Sequence, residues 1–247
     1  MLAEKPWKLD AVLRLFLGVI TVLCLGAGLG GLVQHFTASW PKGQTDFWLL
    51  VISAAFMEIP ALILIAFFLR QHNITWKDAF GFHTTEPATA VAYGVLAGAL
   101  FVPAGWALES LSGYLMELVH LNAKDQQIIE ELQDPTLNLP EKAVLGMIVV
   151  FIAPLAEEML FRGLLYPALK QLGRPRMALW ASSALFALVH FNVETFMPLL
   201  IFALVLVRLY ETFQNLLAPV VAHALFNAAN FMTLIFQDKI VHWMHPT

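Results

Sequence analysis

The chain carries a single cysteine, Cys24, and only 13% of its 247 residues are charged. One cysteine excludes an intramolecular disulfide, so the redox compartment is not written in the sequence. A formal net charge of -4 with scattered basic residues excludes the basic patch that a nucleic-acid partner needs. Internal repeats, heptad runs and low-complexity segments are also missing, so nothing suggests a transporter built from duplicated halves. No pair of histidines lies one helical turn apart around a glutamate, the familiar zinc-protease signature. What the chain has in abundance is apolar side chain: 59% of residues are hydrophobic and the mean hydropathy is +0.71. That exceeds what a soluble domain of this size needs to fill its core. The expectation is an all-α, polytopic integral membrane bundle formed as one membrane domain over 1–247.

About seven spans, within a range of six to eight, are expected. The first, Ala11 to Val33, is longer than a signal-peptide apolar region and reads as uncleaved. The next two run from Phe47 to Leu69 and from about Ala90 to Val119, the latter interrupted by Pro103. A polar insert over 122–142 reads as a short surface helix plus loop outside the membrane. Four further spans follow: Ala143 to Lys170, Met177 to Phe191, Phe196 to Phe213 and Leu216 to Phe236. With the N-terminus in the cytoplasm, Lys5, Lys8, Arg14, Arg70, Lys77, Lys170, Arg174, Arg176 and Arg208 fall on that side. Lys42, Lys124, Lys142 and Lys239 fall opposite, and the positive-inside bias therefore favours a cytoplasmic N-terminus.

The fourth span contains Glu157, Glu158 and Arg162, three charges within six positions. Each charged side chain at the bilayer centre costs roughly 2.5–3.5 kcal/mol on insertion scales, so a wet functional cavity is the default reading. Glu158 and Arg162 have i,i+4 spacing with the acid first, the better order for a helical ion pair. Glu157 lies about 100° around the helix and is the freer carboxylate, a candidate general base for water. Glu157 precedes the turn at Gly173 by 16 residues and His190 follows it by 17, so the two meet at similar depth, roughly 20 Å in. His190 could share that water as a hydrogen-bond partner. His223 and Asn227, four apart on the last span, share a helical face and could donate to an oxyanion formed when water attacks an amide. The active site is expected between the fourth, fifth and last spans.

In order and spacing, Glu157-Glu158 with Arg162, Phe186 with His190, and His223 with Asn227 resemble the motifs of the CPBP intramembrane proteases. These are also called CAAX protease and bacteriocin-processing, or Abi, proteins. The resemblance covers about 143–236, which it makes the expected catalytic core. It implies an endopeptidase acting on a membrane-associated protein or peptide. Water would be activated at Glu157 and His190, and the oxyanion held by His223 and Asn227. One departure concerns packing: Phe202 to Tyr210 contains no glycine, where many relatives have glycines before the last motif. Cofactor use is left open by the residues. Glu157, His190 and His223 could hold Zn²⁺ with an open water position, or the same atoms could work without metal.

Two rival readings use the same residues. One is a non-proteolytic membrane scaffold or immunity protein that keeps the polar cluster for partner binding. The other is a proton-coupled transporter using Glu58, Glu157 and Arg162 as its path. Glu58, beside Pro60 in the second span, is otherwise assigned a structural or cavity role. His35, His72, His83, His120, His242 and His245 fall in loops or tails and are expected to be solvated. No oligomeric state is legible.

Overall fold

The structure is a computed structural model that describes residues 5–37, 44–82, 86–120 and 138–244. The described residues form helices throughout: α1 (Leu9–Thr37), α2 (Gln44–Gln71), the short α3 (Trp76–Phe80) and α4 (Pro87–Leu118). They continue with α5 (Leu139–Lys170), α6 (Pro175–Leu188), α7 (Val193–Phe213) and α8 (Leu217–Met244). Most of the expected polar insert lies outside the described residues. Its last part opens α5, where Asn138 accepts from the Glu141 backbone N–H and Glu141 accepts from that of Asn138. This reciprocal cap satisfies donors that a helix start leaves free.

Five helices among the described residues are long and apolar enough to cross a membrane: Leu9–Val33, Pro87–Leu118, Leu139–Lys170, Val193–Phe213 and Leu217–Phe236. The chain is thus an all-α, multi-pass membrane bundle, with five such spans among the described residues where about seven were expected. The expected span Phe47 to Leu69 coincides with α2, and Met177 to Phe191 with α6. Helix α6 has only 14 residues. At 1.5 Å per residue it rises about 21 Å, short of the ~30 Å hydrocarbon core. It ends where Leu188 gives way to a turn, and His190 lies in that turn rather than on the helix.

The ends of the helices come together on one side. The Lys5 backbone N–H donates to Gln171 Oε1 at 2.8 Å, and Lys5 Nζ donates to the Ala79 carbonyl at 2.6 Å. The Leu216 N–H donates to the Phe80 carbonyl at 3.0 Å. Tyr166 and Lys170 on α5 both donate to Glu211 on α7, and Arg208 approaches its other oxygen at 3.3 Å. Gly81 joins this end with φ +73, its α-carbon facing the Gln214 carbonyl so closely that only glycine fits. The end thus gathers Lys5, Lys77, Lys170 and Arg208, basic residues that the positive-inside argument assigns to the cytoplasm. Trp7, Phe80, Tyr166 and Tyr210 fill the core beneath it.

Helix α4 packs along α8 through small residues. A Cβ on Gly94 would lie 2.6 Å from the Ala218 carbonyl, and one on Gly98 would lie 2.8 Å from that of Ala222. Without water to drive apolar surfaces together, such close backbone approach is how helices associate in lipid. Replacing Gly98 by leucine should lower stability by about 1–3 kcal/mol, the usual penalty for overpacking. Gly28, with nothing within 4 Å of its would-be Cβ, supplies the control. Thermal unfolding in detergent checks this, and an equal melting temperature for Gly98→Leu and Gly28→Leu would refute the close-packing account.

Candidate functional site

Helix α5 is not uniformly wound. Ile148–Ile152 and Met159–Leu165 are π-helical turns, and between them lies the α-helical stretch Ala153–Glu158 that carries both glutamates. Each wide turn runs up against a proline. Ala153 N–H reaches the Ile148 carbonyl five residues back, and Tyr166 N–H reaches that of Phe161. Pro154 and Pro167 come next, have no N–H to continue the ladder, and would clash with a carbonyl four residues back. Widening each turn relieves that conflict, and π turns of this kind recur at functional sites.

Glu158 and Arg162 are enclosed, at 0% and 1% exposure, and the ion pair predicted by their spacing is formed at 2.8 Å. The same Glu158 Oε1 lies 3.0 Å from His223 Nδ1 on α8. An ionised carboxylate only accepts, so Nδ1 carries the hydrogen there. Arg162 is held from two more sides. It donates to the Ala203 carbonyl on α7 at 3.3 Å, and its guanidinium lies 4.3 Å from the Phe186 ring centroid on α6. Four helices therefore converge on one buried charge pair, arranged so that neither charge is left alone. Ala203 is buried, and the neighbouring Phe202 lies edge-on to His223, 5.5 Å between centroids.

Glu157 differs from its neighbour in access. Its side chain is 24% exposed, and its Oε2 lies 3.7 Å from His223 Nε2, beyond hydrogen-bond length. His223 thus sits between the two glutamates, tied to Glu158 by one ring nitrogen and facing Glu157 with the other. Glu58 on α2 is half-buried and within electrostatic reach of Glu157, because α2 packs against the part of α5 that holds it. Sequence reasoning gave Glu58 a cavity or structural role, and joined it to Glu157 only in the transporter reading.

The remaining expected groups are placed less directly. His190 Nδ1 lies 2.8 Å from the Phe186 carbonyl, four residues back, so the hydrogen is on Nδ1 and Nε2 is left as an acceptor. Among the described residues no hydrogen bond or ion pair joins His190 to Glu157 or His223. The link runs through Phe186, whose ring lies 4.9 Å from the His190 ring and 5.8 Å from that of His223. Asn227 Nδ2 donates to the Val149 carbonyl at 2.9 Å, in the first wide turn of α5. Phe186 and Val149 are the contributors that sequence reasoning missed. Phe186 stood in a motif without a role, and the prolines were the signal for the turn.

The zinc alternative calls on Glu157, His190 and His223. The structure brings the first and last within 3.7 Å. Among the described residues it gathers no three His, Cys, Asp or Glu side chains into a metal-holding group. The three-ligand set is not assembled among the described residues.

Residues 139–229 match a protein-family model described as Type II CAAX prenyl endopeptidase Rce1-like. No curated protein and no solved structure matches the chain. The matched stretch runs from the start of α5 into α8 and holds Glu157, Glu158, Arg162, His190, His223 and Asn227; α1 to α4 lie outside it. This stretch is CAAX-protease-like, and the match does not carry the broader CPBP or Abi name.

Proposed function

We propose that this protein is an intramembrane endopeptidase that hydrolyses a peptide bond of a membrane-associated protein or peptide. One observation carries the reading: a partly open Glu157 stands beside a closed Glu158–Arg162–His223 cluster, all within a CAAX-protease-like stretch. Glu157 accepts a proton from water as that water attacks the scissile carbonyl. Glu158 accepts from both Arg162 and His223, and it fixes the tilt of the His223 ring. His190 offers Nε2 as a second acceptor for the attacking water. Asn227 donates to the oxyanion, and His223 does so in its imidazolium form, with Nδ1–H on Glu158 and Nε2–H turned to the site; fixed donors in a low-dielectric cavity act strongly. The proton held by Glu157 then passes to the leaving amine.

Glu157 is 13 residues from Lys170, about 20 Å from the basic end of the bundle. With that end in the cytoplasm, the site opens within the membrane to a chain anchored in it. The match to a prenyl endopeptidase description makes carboxyl-terminal prenylated peptides the first substrates to try.

The proximity of Glu58 to Glu157 favours one second reading, a proton-coupled transporter. Protein reconstituted in lipid vesicles should cleave at least one of a panel of farnesylated, acylated and purely hydrophobic peptides, as read by mass spectrometry. Proton flux driven by a pH gradient, with every peptide intact, would replace the protease by the transporter.

A further inference from the structure

The first wide turn of α5 leaves a carbonyl in an unusual position. In its register each N–H reaches five residues back, as Ala153 does to Ile148. The donor due at the Val149 carbonyl is then the nitrogen of Pro154, which has no hydrogen. A buried carbonyl without a donor is costly in lipid, where no water stands in. The group that meets it comes from another helix: Asn227 Nδ2, at 2.9 Å.

We infer that Pro154 and Asn227 form a positioning pair, in which the proline frees the Val149 carbonyl and the Asn227 carboxamide is fixed by it. The bond ties α8 to α5 at the second residue of the wide turn, eight residues before Glu157, and sets the plane of the amide. Nδ2 has two hydrogens. With one on Val149, the second has a fixed direction and remains for a substrate oxygen. Pro154 thereby acts on the reaction through Asn227 without touching substrate. It also keeps the turn wide, which sets the rotation at which Glu157, three residues on, leaves the helix.

The kinetic half of this inference rests on the protease reading; the structural half does not. The test is a double-mutant cycle of Pro154→Ala and Asn227→Ala in full-length protein, with Pro167→Ala at the second wide turn as the comparison. An alanine at 154 restores an N–H to the helix, so Val149 no longer needs Asn227. Asn227→Ala should lower the melting temperature by about 2–4 °C in the parent and in Pro167→Ala. In Pro154→Ala the same substitution should lower it by less than half as much. Pro154→Ala alone should hold its melting temperature yet lose roughly 10-fold or more in kcat, with KM within about twofold, because an untethered amide is misaimed. Equal losses from Asn227→Ala in the parent and in Pro154→Ala would overturn the pairing, and an unchanged kcat in Pro154→Ala would overturn its role in the reaction. Absence of turnover in the parent would defeat the protease reading and leave the melting cycle to decide the pairing.

Discussion

Glu157→Gln should lower turnover by roughly 10²- to 10⁴-fold, the range expected when a general base is removed. Glutamine keeps the size and hydrogen-bonding reach of the side chain but cannot take the proton from water. The fold should survive, because Glu157 is 24% exposed and its nearest charge partner is 3.7 Å away. A melting temperature within a few degrees of the parent therefore accompanies the lost activity. If a folded Glu157→Gln protein kept most of its turnover, the base would have to be another group. Glu58 would be the first to test, since it shares the electrostatic neighbourhood.

Arg162→Met should produce the largest loss of stability. Removing the guanidinium strands Glu158, 0% exposed, with only His223 as a donor. It also removes the bond to the Ala203 carbonyl and the contact with the Phe186 ring. Breaking a buried pair by deleting one partner costs about 3–5 kcal/mol, largely from the uncompensated charge left behind. For a chain of this size that lowers the melting temperature by roughly 10 °C. Lysine should not rescue it, because one ammonium cannot reach Glu158 and Ala203 in the same fork or stack on Phe186. The double variant Arg162→Met, Glu158→Gln should recover much of the loss, since no lone charge remains. A double variant no more stable than Arg162→Met alone would show that packing, not charge, explains the effect.

Helix identity was legible because apolar runs of 20 residues or more have few other outcomes in lipid. The Glu158–Arg162 pair was legible because it depends only on i,i+4 geometry within one helix. Depth along the bundle was an expectation from the fixed helical rise, which set Glu157 and His190 at similar distances from the turn at Gly173. Rotation about the helix axes was not. Two π turns in α5 shift every later side chain around the axis. Pro154 and Pro167 signal that something must give without saying whether a kink or a widened turn results. The interhelical partners depend on that rotation: His223 with Glu158, Asn227 with Val149, and Arg162 with Ala203. Of the expected seven spans, the fifth falls short because hydropathy extended it through His190 and Phe191. In the structure α6 stops at Leu188 and His190 Nδ1 turns back to the Phe186 carbonyl. Buried Ala203 presents its carbonyl directly to Arg162.

The central claim is that this membrane bundle cuts peptide bonds with Glu157. The most direct measurement compares protein ends in cells expressing the parent protein with those expressing Glu157→Ala at matched levels, by mass spectrometry of membrane and secreted peptides. Termini that appear with the parent should be lost with Glu157→Ala, and they identify the substrate. An identical set of termini in the two samples, at good coverage, would contradict it and favour a scaffold that uses the polar cluster to bind a partner.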